Sequence, residues 1–145
     1  QTFWVSGQKV STEYLQEMAY WYSGLALNVT PHVADYQKNL FLKYAAPSEY
    51  GRLQAEFGAR TEFIRQNNAS TQFSPQSVMP DEAAMKVALT GVLLTWVGDK
   101  KASEKQTTFV VGFRYLNGRL HVSEFKETSD QDPFGAGNGT GAAPR

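Results

Sequence analysis

Cysteine is absent from the 145 residues, so neither a disulfide nor a thiolate metal site can form. That absence fits cytoplasm and periplasm alike and does not fix the compartment. Charge of one sign is missing too: 14 basic residues balance 14 acidic ones. The balance removes any general electrostatic attraction to nucleic acid or anionic lipid. Aromatics are available for single-strand binding, but a basic groove to accompany them is not. No apolar run approaches the ~18–20 residues that span a bilayer. There is no Gly-rich phosphate loop, no helical His-Glu metal pair, no nucleophile elbow and no EF-hand pattern. Catalytic residues, cofactor and metal are therefore all expected to be none.

The composition that remains, 41% hydrophobic and 19% charged, is that of an ordinary globular chain rather than a disordered one. At this length one domain is expected, burying roughly two-thirds of its unfolded surface. The chain starts at Gln1 without methionine, which suggests an excised fragment whose upstream residues held a signal or membrane anchor. Residues 1–10 read as an extended lead-in after a removed membrane segment, 11–128 as one α+β domain, and 129–145 as a flexible Gly/Ala-rich tail.

The helical part comes first. Ser11 is a plausible N-cap, with Glu13 in the first turn. Tyr14, Met18, Trp21, Tyr22, Leu25 and Val29 recur at helical spacing to about Asn28. Thr30-Pro31 restarts a second helix, with Val33, Leu40, Phe41 and Tyr44 as its buried face. A third helix is expected over 47–66, with Tyr50, Leu53, Phe57 and Ile64 inward. Its Glu49, Arg52, Glu56 and Arg60 lie three or four apart and read as a solvated, charge-laced flank.

After Asn67-Asn68 the period turns extended. Residues 71–80 suit a marginal edge strand, because Pro75 and Pro80 cannot donate to a ladder. Residues 84–97 form a long strand with a bulge or bend expected at Gly91, beyond which both faces are apolar. The run Gly91–Val97 ends in Gly98-Asp99 turn chemistry, followed by solvent-facing Lys100-Lys101. Residues 105–116 and a last strand to about Glu127 flank Asn117-Gly118, a two-residue type I′ hairpin signal. That turn pairs Tyr115 with Leu120, Phe113 with Val122 and Arg114 with His121. Helices followed by an antiparallel meander give α+β, with helices on one face of a curved four-stranded sheet. A sheet of that kind wrapped on a long first helix is nuclear-transport-factor-two-like, a fold that alone does not give function.

Candidate chemistry is sparse. His32 reads as a neutral surface histidine and His121 as half of a sheet-face pair with Arg114. Isomerase chemistry in such a fold needs a carboxylate and a Tyr or Asp donor inside an apolar cone. Asp99 falls in a turn, and Asp81 and Glu82 flank strands. A small-molecule-binding or isomerase-like domain stays as the alternative; a cone filled by Trp21, Trp96 and Phe113 would count against it. Asn28, Asn68 and Asn138 each begin an Asn-x-Ser/Thr triplet, which carries weight only in a eukaryotic secretory context. Tyr20 and Leu27 lie seven apart, opposite the Tyr14–Met18–Leu25 stripe, and Leu42 lies outside the second helix's stripe. Such residues are either covered by another element, the sheet or the lead-in around Trp4, or offer a contact surface. Tyr20, Leu27 and Leu42 are the interface candidates.

Gly91-x-Leu93-x-Thr95-Trp96-Val97-Gly98-Asp99 resembles the signature strand of the TraE family of F-type conjugative transfer proteins. Tyr14–Ala19, followed by Leu25-x-Leu27-Asn28-Val29-Thr30, is similar to the same family's first helix, and Asn117-Gly118 and Phe125 also fit. The resemblance covers roughly residues 11–127. It implies a non-catalytic component of a type IV secretion system: one N-terminal inner-membrane helix and a periplasmic scaffold domain. Such domains self-associate and contact other channel or pilus-assembly proteins. The Asn-Pro-x-Gly motif of some scaffold subunits has no counterpart here, so contacts through that motif do not transfer.

Overall fold

The computed structural model describes residues 5–6, 9–128 and 133–134. Two short strands, β1 (Val5–Ser6) and β2 (Lys9–Val10), pair ahead of α1 (Thr12–Leu27), α2 (Ala34–Lys43), a 3₁₀ turn at Pro47–Glu49 and α3 (Tyr50–Gln66). Four long strands complete the fold: β3 (Ala69–Asp81), β4 (Lys86–Val97), β5 (Lys100–Leu116) and β6 (Arg119–Thr128). They form one antiparallel meander in the order β3-β4-β5-β6. The helices-then-meander reading is thus the architecture found. Trp4 and all but two residues of the tail beyond Thr128 lie outside the described residues.

Ser11 caps α1 as its hydroxyl side chain permits: Oγ accepts from the Tyr14 amide at 3.3 Å. The far end is closed by other elements. Gln37 donates to the Leu25 and Asn28 carbonyls, and Thr71 Oγ1 donates to the Leu27 carbonyl. These bonds satisfy carbonyls that a helix C-terminus leaves open. The buried stripe of α1 is Leu15, Ala19, Tyr22 and Ala26. It is rotated by about one residue, roughly 100°, from the stripe that side-chain size suggests. Tyr14, Met18 and Leu25 sit half-buried at its flank and Trp21 is exposed. Alanines at 19 and 26 give the helix a slim face toward the core, and the larger side chains border it.

Two further helix expectations shift. Residues 31–33 form a turn, so α2 begins at Ala34 and Val33 is exposed rather than buried. Proline at 31 therefore opens a turn, not a helix. Tyr50, at the first position of α3, is exposed, while Leu53, Phe57, Thr61 and Ile64 face inward. Inside, Tyr22, Phe41, Phe57, Phe73, Phe109, Phe113 and Phe125 meet ring to ring, with Phe41–Phe57 centroids 4.7 Å apart and Phe109–Phe125 stacked at 5.4 Å. Each such side chain contributes about 1.5–3 kcal/mol by burial. The cone is filled by these rings. Phe113 is among them, but Trp21 and Trp96 are not, since both stand at the surface.

Sheet register follows the turns. Asn117 (φ 51°) and Gly118 (φ 77°) both adopt positive φ, the type I′ requirement, and the expected pairs 115–120, 113–122 and 114–121 all form. At Gly98-Asp99 only Gly98 is positive (φ 62°), as a type II′ turn demands. The bulge near Gly91 belongs to the facing strand: register shifts between Pro75 and Ser77 of β3, and Gly91 lies opposite Pro75. A Cβ at 91 would stand 2.0 Å from the Ser74 carbonyl oxygen. Glycine is there so that the bulged backbone can come close.

The outer edge of β3 is sealed. Thr71 exchanges both backbone bonds with Val29, and the Phe73 amide donates to Asn28 Oδ1 at 2.7 Å. The same strand face continues to Pro75 and, past the bulge, to Pro80, which have no amide hydrogen to offer. Asn28 therefore serves as an edge cap. At the opposite edge, Tyr44 and Ala46 bond to both sides of Val122, and Arg52 Nη2 donates to the carbonyl of the bulged Ser123 at 2.7 Å.

Candidate interaction surface

Among the described residues, the carboxylates considered for isomerase chemistry do not come together in the cone. Asp99 is exposed in the β4–β5 turn, Glu82 is exposed, and Asp81 accepts from the Ala84 amide at 3.2 Å. The buried polar residues described are Ser11, Ser23, Thr61, Thr107 and Thr108, none of them a carboxylate. Among the described residues no cluster of His, Asp and Glu could hold a metal ion. His32 is exposed. His121 does face Arg114 across the sheet, and its Nδ1 is buried without a hydrogen-bond partner. Arg114 turns instead to Ser48 Oγ (2.7 Å) and Glu49 (3.3 Å) of the 3₁₀ turn.

Two of the three interface candidates are covered by their own chain. Leu27 is 2% exposed and Leu42 is 4% exposed, both inside the main core. Leu27 closes the C-terminal end of α1, where Thr71 and Gln37 draw β3 and α2 over it. Leu42 lies beside Phe41 at the end of α2, where the chain turns to bridge β6 through Ala45. A helix clasped on two sides buries more than one stripe. Neither leucine projects from the surface; Leu27 only floors a groove between α1, α3 and the sheet. Tyr20 does project: it is 60% exposed, and its neighbour Trp21 is 42% exposed.

Tyr20 and Trp21, one residue apart, line two different clefts along α1. Tyr20 borders a cleft of about 680 Å³ that includes the β3 segment Ser70–Pro75 and Trp96. Trp21 borders one of about 560 Å³, together with Tyr14, Met18, Tyr22, Tyr44 and Arg119. Trp21 meets Tyr22 edge-on at 4.9 Å and Tyr44 at 6.0 Å. The Arg119 guanidinium lies over the Tyr44 ring at 5.8 Å, and Lys43 Nζ lies 5.7 Å from the same ring. Burial, reinforced by Tyr44 and Tyr14 and opposed by Arg119, pushes the Tyr22 hydroxyl up, so it stays neutral. An aromatic wall with a cation at its lip and Glu17 along its rim suits contact with another macromolecule or a small aromatic group. The sequence reading assigned Tyr14, Met18 and Trp21 to the core. Arg119 entered no expectation, although the I′ turn at Asn117-Gly118 fixes where β6 begins and hence where Arg119 stands.

Comparison with known proteins agrees with the motifs. The family model described as TraE protein matches residues 1–127, and the chain belongs to that family of F-type conjugative transfer proteins. It is 28% identical over 129 residues to Protein TraE of Escherichia coli (strain K12), covering 89% of this chain and 69% of that one. A solved TraE protein in complex with 2-chloroisonicotinic acid superposes with a TM-score of 0.68 at 11% identity, covering 86% of this chain and 100% of that one. A TrwG component of a type IV secretion system from Bartonella birtlesii superposes with a TM-score of 0.66 at 8% identity, covering 86% and 96%. At these identities the solved structures speak for the fold alone. The fold is α+β and nuclear-transport-factor-two-like.

Proposed function

We propose that this TraE-family domain is a non-catalytic assembly component of a conjugative type IV secretion system. It works through self-association and through contacts with other channel or pilus-assembly proteins. The family match supports the machine. The observation that carries the contact role is the exposed pair Tyr20 and Trp21, large aromatic side chains held on a rigid helix beside two clefts. Aromatic anchors of this kind dominate interface energetics. Among the described residues no helix is long and apolar enough to cross a membrane. In the reading proposed here the domain stands in the periplasm and the full-length protein is anchored in the inner membrane. Anchoring would raise the effective concentration of copies, so a modest self-contact suffices.

The test replaces the exposed pair. Tyr20→Ser with Trp21→Ser should weaken self-association by about tenfold, measured by sedimentation and cross-linking. The fold should persist with a modest loss of about 1–2 kcal/mol, since Tyr20 is mostly exposed and Trp21 gives up edge-on ring contacts with Tyr22 and Tyr44. Unchanged association, with an unchanged fold, would rule out this face as the contact.

A further inference from the structure

Arg60 departs from the charged flank to which its helical spacing assigns it. Glu49, Arg52 and Glu56 form the expected surface ladder, with Arg52 at 2.9 Å from Glu49 and 3.3 Å from Glu56. Arg60, one turn on, folds inward over two rings, 5.2 Å from the centroid of Phe125 and 5.9 Å from that of Phe109. Among the described residues no carboxylate lies within salt-bridge distance of it, and its five N–H donors have no hydrogen-bond acceptor there. The nearby acids are already engaged: Glu56 by Arg52, and Glu127 by Lys105 at 2.9 Å and by Thr107. Burial weakens the charged form of Arg60, which the fields of Glu127 and Glu56 only partly restore. The ion-pair count on this face therefore leaves one fixed, half-buried guanidinium over.

Beside it runs an apolar groove of about 330 Å³ between the end of α1, α3 and the sheet. Leu27 and Ala26 lie on the α1 side, Ile64 and Ala59 on α3, and Leu93 on β4, while Phe63 stands 46% exposed. Its volume suits one or two side chains. On the other side of Arg60, toward Phe41 and Leu53, only about 10 Å³ is free. That space is at the limit for a single water and far too small for a residue. An occupant reaching inward along the groove therefore stops at the Arg60 guanidinium.

We infer that this groove receives the C-terminal residue of a partner protein, its apolar side chain against Ile64 and Leu93 and its terminal carboxylate on the Arg60 fork. The stacked rings fix the plane of the guanidinium, and a carboxylate matches two of its parallel donors. Charge complementarity selects the occupant: an apolar groove would accept any greasy side chain, but the unspent cation asks for an anion within one residue of it. The inference deepens and rests on the assembly reading, and its groove is distinct from the two clefts of Tyr20 and Trp21, although Thr71 borders both it and the Tyr20 cleft.

The probe is N-acetyl-phenylalanine, with N-acetyl-phenylalanine amide as the neutral control, titrated into the isotope-labelled 145-residue chain. The free acid should shift the Arg60 Nε–Hε resonance and the methyl signals of Ile64 and Leu93, and bind about tenfold more tightly than the amide. Arg60→Met, which keeps the apolar stem over the rings, should bring the acid down to the level of the amide. Arg60→Lys, which keeps charge and loses the fork, should recover little. A thermal melt of each variant checks that it folds. Equal binding of acid and amide, shifts elsewhere, or acid binding that survives in Arg60→Met would overturn the site. Self-association of the same Arg60→Met chain separates the two ideas: it should match the parent, whereas failure of the assembly reading appears only in the Tyr20/Trp21 variant.

Discussion

The root and the tip of the β4–β5 hairpin share two strands and have opposite relations to water. At the root, Val87, Ala88 and Leu89 pair with Phe109, Val110 and Val111, and every one of these residues is at most 2% exposed. At the tip, Val92–Val97 is just as apolar, yet none of its residues is buried, and Lys100–Gln106 across from it is fully in solvent. Hydrogen bonding is continuous through both halves apart from one register shift at Thr95/Trp96. Ladder pairing therefore does not bury a strand; a second layer does. The helices cover the root fully and reach the tip only at Leu93 and across the cleft that Tyr20 shares with Trp96. At the tip β4 is paired on both sides, and the free edge is that of β5, which β6 pairs only from Thr108 onward; charge at Lys100, Lys101, Glu104 and Lys105 discourages foreign strands from adding to it.

Leu89→Ala strikes the root hardest. With no exposed surface and ring neighbours on its face of the sheet, the site has little room to collapse. The expected loss is about 2–5 kcal/mol, in the upper half of that range. Urea unfolding should show a lowered midpoint with an unchanged slope. A loss below 1 kcal/mol would mean that the root is no better packed than the tip.

Gly91→Ala acts on the boundary between the halves. The new methyl would meet the Ser74 carbonyl oxygen at 2.0 Å and the Pro75 Cα at 2.8 Å, both backbone atoms that cannot swing aside. The bulge in β3 must move, at an expected cost of about 3 kcal/mol, the upper end for overpacking. Gly112→Ala is the matched control in β5. Its methyl would first meet Glu124 Oε1 at 3.1 Å, which can rotate, and Glu124 Cβ at 3.2 Å, which has to give by only a few tenths of an ångström, so about 1 kcal/mol is expected. If the two substitutions cost the same, close backbone approach is not what places glycine at 91.

What the sequence made legible was whatever a local rule governs. Asn117-Gly118 sets a turn whose two positive φ values and flanking register follow from backbone sterics alone. Ser11 caps because a hydroxyl in that position reaches the third amide. Pro75 and Pro80 mark an edge because they carry no donor. What stayed hidden depends on which element arrives from elsewhere. Leu27 and Leu42 are buried because β3 and β6 return to the ends of their helices. Arg60 has the same spacing as Arg52, and only the rings of Phe109 and Phe125, some fifty residues or more further along the chain, draw it off the flank. On α1 the expected Tyr22 and Val29 are buried, but bulk does not predict burial for Tyr14, Met18, Trp21 and Leu25, which border the inward face that Leu15, Ala19 and Ala26 complete.

Trp96→Ala gives a small effect, on a par with the Gly112 control, and the sharpest test of the comparison. Composition alone would rank Trp96 as a core anchor, and truncating a buried Trp costs about 3–5 kcal/mol. Here the ring is 37% exposed, opposite Lys101 on one side and Ser70 on the other. It borders the same cleft as Tyr20. The expected stability loss is about 1 kcal/mol, a value ordinary for a partly exposed position. Calorimetry of Trp96→Ala beside Leu89→Ala decides the matter. If the tryptophan costs as much as the leucine, the tip is a second core and its apolar strand needs no partner. If the small value holds, Trp96 stands at the surface without a stability requirement, and its place beside Tyr20 in one cleft is then best explained by contact with another molecule.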